Sequence, residues 1–350
     1  MASGERELIA ANGDKRLIHR DEQGRTPSAR RQRREAAKQG EKSRQLVQPL
    51  SMKLGCCLLV ASALAGCNTR DDRKQNPSRD NSTEAKAVQT VTSRDGTKIA
   101  YEKLGKGAPV ILVNGALSAW AASADLARLL APHFVVYSYD RRGRGGSGDT
   151  SPYAVEREIE DVEVLIDEAG GAAHLVGFSS GAALALEAAS ALGPKVKKLA
   201  IYEAPYDSAA GAAGKWKKYK AEQADLLAAG RRGDAVLHHL KFAGVPDAAV
   251  IEMKASPAWA SMEAIAPTLP YDAAIIGDDR SVPVERAAKV RADALVMDGG
   301  ASREPMPFMR ASADRIAQAI PNAQRRTIEG QGHSVSPEAV APVLIEFLRE

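Results

Sequence analysis

From residue 88 the chain alternates apolar and polar positions, Val88-Gln89-Thr90-Val91-Thr92, reaches Asp95-Gly96, and alternates again through Lys98-Ile99-Ala100-Tyr101-Glu102. Alternation has the period of a strand with one buried face, and Asp-Gly between two such runs favours the positive φ angles of a tight hairpin. Continuous apolar runs follow: Val110-Ile111-Leu112-Val113, Phe134-Val135-Val136-Tyr137, His174-Leu175-Val176-Gly177-Phe178, Leu199-Ala200-Ile201-Tyr202 and Ala294-Leu295-Val296-Met297. A strand that is apolar at every position has both faces covered, as parallel strands between helix layers do. Helical segments separate these runs, so the predicted class is α/β, a mostly parallel sheet covered by helices on both faces. The stretch from about 206 to 283 breaks the rhythm: it is rich in Ala and Lys, lacks a buried strand and sits between two sheet strands. It is predicted to be an inserted helical cap over the site, and the catalytic domain to span 88–350.

Upstream of that domain, residues 52–66 have a positive start at Lys53 and a short apolar run that ends in small residues before Cys67. The run is too short to span a bilayer as a helix. Leu64-Ala65-Gly66-Cys67 resembles the bacterial lipobox, and the resemblance implies cleavage before Cys67 and acylation of its thiol. Asn68 in the next position implies sorting to an outer membrane, facing the periplasm. Residues 67–87 are polar and without periodicity, a flexible tether between a lipid anchor and the domain. Residues 1–51 are polar and Arg-rich, and are expected to be an extension upstream of a true start at Met52.

Charge alters this picture little. The whole chain carries a formal +4, but residues 1–51 hold 12 Lys+Arg against 7 Asp+Glu, which leaves 36 against 37 in the remainder. A nearly neutral domain offers no electrostatic footprint for a polyanion, so nucleic acid is not an expected partner. The cysteines are Cys56, Cys57 and Cys67, all ahead of the domain, so the domain has no disulfide, zinc-thiolate site or cysteine nucleophile.

Gly177-Phe178-Ser179-Ser180-Gly181 follows an apolar run and precedes the helix former Ala182-Ala183-Leu184-Ala185-Leu186-Glu187-Ala188-Ala189. A sharp strand-to-helix turn of this kind projects a serine above the sheet edge, and only glycine leaves room on either side of it. Ser179 is the candidate nucleophile. At the start of the helix, the amide of Ser180 can donate to a developing oxyanion.

A serine hydroxyl needs a base. Downstream of Ser179 there are His238, His239 and His333. The first two lie on a cap helix. His333 stands in Glu329-Gly330-Gln331-Gly332-His333-Ser334, a glycine-rich loop after Arg326-Thr327-Ile328 and before the last helix, from which it can reach the sheet edge. It is the candidate general base.

With these residues the chain resembles the α/β-hydrolase superfamily over roughly 88–350. The run Asp140-Arg141-Arg142-Gly143-Arg144-Gly145-Gly146-Ser147 resembles that superfamily's D-x-R-G-x-G-x-S turn, which is scaffolding there. The resemblance implies a second oxyanion donor on the amide of Ala116, where Asn114-Gly115-Ala116 stands in place of the usual His-Gly. The superfamily's commonest acid position falls here on Gly299-Gly300-Ala301-Ser302, which has no carboxylate. Some members carry the acid after the preceding strand, which selects Glu203, with Asp298 second; its task is to fix the His333 tautomer.

The expected chemistry is a serine hydrolase cleaving an ester-like bond of a small molecule through an acyl-enzyme. The same scaffold also hosts thioesterases, perhydrolases and lyases, and a silent member would be a ligand-binding lipoprotein. No phosphate loop, metal-ligand cluster or dinucleotide fingerprint appears, so no cofactor is expected. Trp216, Trp259 and Tyr271 are cap residues whose orientation would shape substrate choice.

Overall fold

The computed structural model describes residues 88–349 apart from Pro305. The Asp95-Gly96 turn joins Gln89–Thr92 (β1) to Lys98–Gly105 (β2) as an antiparallel pair, with Gly96 at φ 87° and the Asp95 carboxylate accepting the Thr97 amide. Six further strands follow, Ala108–Val113 (β3), Phe134–Tyr139 (β4), Ala173–Phe178 (β5), Val196–Tyr202 (β6), Asp293–Gly299 (β7) and Ala323–Ile328 (β8). The sheet order is β1-β2-β4-β3-β5-β6-β7-β8. β2 lies antiparallel to β4, and every pair from there to β8 is parallel. The predicted mostly parallel sheet is therefore the observed one.

Its middle strands are apolar throughout because alternate residues enter different cores. Val110, Leu112, Val176, Ala200, Leu295 and Met297 face one side. They pack there against Ala124–Leu130 (α1) and Pro337–Arg349 (α11), through residues such as Leu130, Leu344 and Phe347. Ile111, Val113, Leu175, Leu199, Ile201 and Val296 face the other. That side is covered by Val155–Glu168 (α2), Ser180–Leu192 (α3), Val284–Ala287 (α9) and Phe308–Ala319 (α10). α3 is buried on all sides from Ser180 to Ala189, which explains its run of alanines and leucines.

Between β6 and β7 the chain leaves the sheet for a group of helices: Ala212–Ala228 (α4), Arg232–Phe242 (α5), Asp247–Ala255 (α6), Ala258–Ile265 (α7) and Leu269–Ile276 (α8). This is the predicted cap. It has its own small core, in which Ala235, Val236, Leu240, Ile265 and Leu269 meet Leu117 from the loop after β3.

The D-x-R-G-x-G-x-S turn after β4 proves to be a buried ionic layer. Arg142 makes two 2.7 Å contacts with the Asp161 carboxylate and a third, of 2.9 Å, with Asp95, and it is fully buried. Arg141 grips Glu158 with two 2.7 Å bonds. Asp140 accepts the amides of Trp120 and Gly146 and so ties the turn to the loop after β3.

Removing one partner of a buried pair strands the other charge away from water. Arg142→Met is expected to cost about 3–5 kcal/mol in urea unfolding. Arg128→Ala, which breaks the exposed pair with Asp125 (side chains 64% and 69% exposed), should cost less than about 1 kcal/mol. Equal losses would show that burial does not set the energetics of this layer.

Candidate active site

Among the described residues, four non-glycine residues have positive φ: Leu117 (55°), Ser179 (54°), Glu203 (48°) and Arg280 (63°). All belong to one site. Such backbone costs of order 1–3 kcal/mol per residue and persists only where neighbours enforce it.

Ser179 sits between β5 and α3 with ψ −126°. Its amide donates to Tyr202 O on β6 at 3.0 Å, and its carbonyl accepts the amides of Ala182 and Ala183. The flanking glycines are required by contact. A Cβ on Gly177 would lie 2.5 Å from Gly181 O, and one on Gly181 would press on the carbonyl oxygens of Val113 and Asn114. The sequence G-x-S-x-G thus records how closely α3 approaches β3 and β5.

His333, on the loop after β8, places Nε2 3.0 Å from Ser179 Oγ and Nδ1 2.7 Å from Glu203 Oε2. The backbone at the end of β7, on either side of Asp298, holds Glu203. Its own amide donates to Met297 O at 3.0 Å, and its Oε1 accepts the Gly299 amide at 2.8 Å. Both carboxylate oxygens are engaged, and the side chain is buried. Asp298, the second candidate acid, is not part of this cluster and is set aside. As its strand parity requires, it points to the opposite face of β7 from Met297, where it accepts Thr327 Oγ1 at 2.7 Å and pairs with Arg325 at 2.9 Å.

The loop that carries His333 is tethered by Tyr202, whose hydroxyl donates to Gly332 O at 2.6 Å, and by Ala301, whose amide donates to Gln331 O at 2.8 Å. The sequence gives no local sign of the Tyr202 role, because Tyr202 reads as the last apolar residue of a buried strand.

The Asn114-Gly115-Ala116 loop abuts Ser179: a Cβ on Gly115 would lie 3.0 Å from Ser179 Cβ. Asn114, in the usual histidine position, is buried and donates to Ala119 O and Ser123 Oγ. Arg144 Nη1 donates to Gly115 O at 2.7 Å. In a trans peptide the C=O and N–H point in opposite directions, so a carbonyl held by Arg144 turns the Ala116 amide away from Arg144. Neither the Ala116 nor the Ser180 amide has an acceptor among the described residues.

Asp272, contributed by α8 of the cap, accepts Ser180 Oγ at 2.7 Å and pairs with Arg141 at 2.6 Å and Arg144 at 2.8 Å. Burial alone would raise its pKa, but the two guanidinium groups hold the carboxyl well below the usual range. Asp272 therefore couples both halves of the candidate oxyanion hole through one charge. No pattern in the sequence singled it out.

Ser179 and His333 open into a cavity of about 400 Å³ walled mainly by apolar side chains, among them Phe242, Met253, Met262, Met306 and Phe308. Of the three cap aromatics singled out from the sequence, Trp216 faces it. Trp259 packs on the cap core, and Tyr271 stacks on Tyr153 at 3.8 Å with its hydroxyl on Asp149. His239 also lines the cavity, and burial pulls its pKa down to about 4, so it is neutral at pH 7. It bonds Tyr219 Oη, and His238 stacks on the same ring. No group of three or more potential ligand residues that could hold a metal occurs among the described residues.

A serine on a strained strand-to-helix turn, a late-loop histidine and a cap between β6 and β7 on this eight-stranded sheet define an α/β-hydrolase architecture. Residues 110–343 match the alpha/beta hydrolase family, and the chain belongs to that family. It is 51% identical to an alpha/beta hydrolase from Sphaerobacter thermophilus of known crystal structure, with a TM-score of 0.68, over 74% of this chain and 100% of that one. An enol-lactonase from Burkholderia xenovorans (21% identity, TM-score 0.57, 75% of this chain and 100% of that one) shares the fold. So does an esterase from Rhodococcus (19% identity, TM-score 0.58, 75% and 98%).

Gly181→Ala forces a methyl group against main-chain oxygens that cannot rotate away, and should lower stability by about 1–3 kcal/mol in chemical denaturation. Gly214→Ala, in α4 with open space around its Cβ position, should be neutral or stabilising by up to about 1 kcal/mol. A neutral Gly181→Ala would contradict the packing argument.

Proposed function

We propose that the protein is a serine hydrolase that cleaves an ester-like bond of a small molecule through an acyl-enzyme. The observation that carries this reading is the continuous path from Ser179 Oγ through His333 to Glu203, at 3.0 and 2.7 Å. His333 Nε2 takes the hydroxyl proton as Oγ attacks the carbonyl carbon. Glu203 accepts the Nδ1–H bond, selects that tautomer and stabilises the imidazolium without taking the proton. The carbonyl oxygen, now negative, receives the amides of Ala116 and Ser180, neither of which has an acceptor of its own among the described residues. The imidazolium then protonates the departing alcohol, and a water activated by His333 Nε2 releases the acid by the same steps reversed. The apolar wall suits an aliphatic or aromatic acyl group.

Ser179→Ala is expected to reduce hydrolysis of p-nitrophenyl butyrate by about a thousandfold or more, and Glu203→Gln by at least about a hundredfold. A fluorophosphonate probe should label wild-type protein and not Ser179→Ala. Wild-type protein that binds ligands but resists the probe would instead be a silent ligand-binding member of the family.

We propose further that residues 52–66 are removed, that Cys67 carries acyl chains, and that residues 67–87 tether the enzyme to the outer membrane, facing the periplasm. These positions lie outside the described residues, and the support is the Leu64-Ala65-Gly66-Cys67 pattern. Each buried methylene contributes roughly 0.8 kcal/mol, so two chains suffice for stable attachment. Metabolic labelling with an alkynyl fatty acid should mark the protein in cells and should be lost in Cys67→Ala, with release into the soluble fraction. Unchanged labelling would refute the anchor.

A further inference from the structure

Among the described residues four arginines are buried: Arg141, Arg142, Arg144 and Arg280. The first three each have a carboxylate within 2.9 Å. Arg280, 8% exposed, has none at ion-pair distance among the described residues. Its Nε donates to Pro205 O at 2.7 Å, two residues beyond Glu203, and its Nη groups have no hydrogen-bond partner there. The guanidinium is instead clasped by aromatic rings, with Phe308, Phe242 and Trp216 centroids at 4.5, 5.0 and 5.6 Å. Asp207 acts on it only at longer range, and its Oδ1 is occupied by the Ala209 amide.

Arg280 lines the same cavity as Ser179 and His333, and among the described residues no other Arg or Lys does. The remaining acid on the wall, Asp272, is already shared between Arg141 and Arg144. Arg280 also sits at φ +63°, one of the strained positions of this site, and its carbonyl accepts the Asp207 amide. Burying a cation without a counter-ion, on strained backbone, in the wall of an otherwise apolar cavity, is unfavourable for an isolated fold. It becomes favourable once a ligand brings the missing anion, because a desolvated charge-assisted pair is strong and a planar fork fits a planar carboxylate with two parallel bonds.

We propose that Arg280 is a specificity-determining residue that binds a carboxylate carried by the substrate, so that the preferred substrates are esters or lactones bearing one such group remote from the scissile carbonyl. A single guanidinium, with no second Arg or Lys on the wall among the described residues, fits a carboxylate monoanion. The aromatic clasp fixes the plane of the fork and Pro205 O fixes its rotation, so the Nη edge is left to the ligand. This assignment rests on the reading of Ser179 as nucleophile, and binding can be measured without that chemistry.

The experiment compares monomethyl and dimethyl esters of the same dicarboxylic acids, from succinate to suberate, which differ at one end by a carboxylate against its neutral methyl ester. Calorimetry on Ser179→Ala is expected to show the monoester of the best-fitting length bound at least about tenfold more tightly than its diester. Turnover by wild-type enzyme should show the same preference, mainly in KM, since the contact persists from ground state to transition state. Arg280→Met should bring the ratio of monoester to diester affinity to within about threefold of unity, and Arg280→Lys should retain part of it. Diesters bound as well as monoesters by the Ser179→Ala protein would overturn the proposal without any Arg280 variant having to fold. A preference that survives Arg280→Met would overturn it as well. Hydrolysis by Ser179→Ala at the wild-type rate would instead remove the catalytic reading, with the calorimetric preference still deciding the role of Arg280.

Discussion

The left-handed backbone at Ser179 is the constraint from which the site follows. A non-glycine residue keeps φ 54° only if the chain on both sides is immobilised. β5 does this before the turn, and α3, buried on every side, does it after. Burial of α3 requires small residues, hence Ala182, Ala183 and Ala185, and glycine where α3 crosses the end of β3. The same close crossing brings the loop after β3 to Ser179. Strained turn, buried helix and the loop after β3 are one packing solution seen from three sides.

The ionic layer after β4 supports that solution from behind. A buried ion pair adds little net stability compared with an apolar replacement, but it admits very few geometries, since any displacement leaves a charge unpaired. Here Arg141 and Arg144 meet one carboxylate, Asp272, that also takes the hydroxyl of Ser180. Because Asp272 belongs to α8, that helix of the cap is bound to the base of the site. Displacing it would strand two guanidinium groups. α6, by contrast, buries none of its residues, so movement there disrupts far less.

Much of this architecture is legible along the chain because it is local. Continuous apolar runs marked the central strands, alternation marked the hairpin, and glycine spacing marked Ser179 and the loop of His333. What escaped is non-local. Arg144 lies 128 residues from Asp272, and Tyr202 lies 130 from Gly332, so no periodicity links the members of either pair. Charged residues in the D-x-R-G-x-G-x-S turn read as scaffolding, and they are scaffolding, yet the turn alone does not reveal that its arginines hold the loop after β3. Trp216, Trp259 and Tyr271 were indistinguishable in the sequence because a cap helix can present an aromatic residue to its own core, to the surface or to the cavity, and each of them does something different.

The position of Glu203 shows how the sheet permits one contact from two places. Adjacent parallel strands end about 4.8 Å apart, so a carboxylate after β6 or after β7 can reach the same imidazole. Moving it changes what surrounds it. At the end of β6 the chain must turn sharply into the cap, and Glu203 takes φ 48° to direct its side chain under His333. The vacated place after β7 is then not idle: Gly299 offers its amide to Glu203 Oε1, and it must be glycine, because a Cβ there would strike the Tyr202 hydroxyl and Gln331 O. Those are the groups that tether the histidine loop. A carboxylate at one strand end and a bare backbone at the next thus form a matched pair. A side chain added at position 299 would disturb Glu203 and His333 together, although it would touch neither reacting atom.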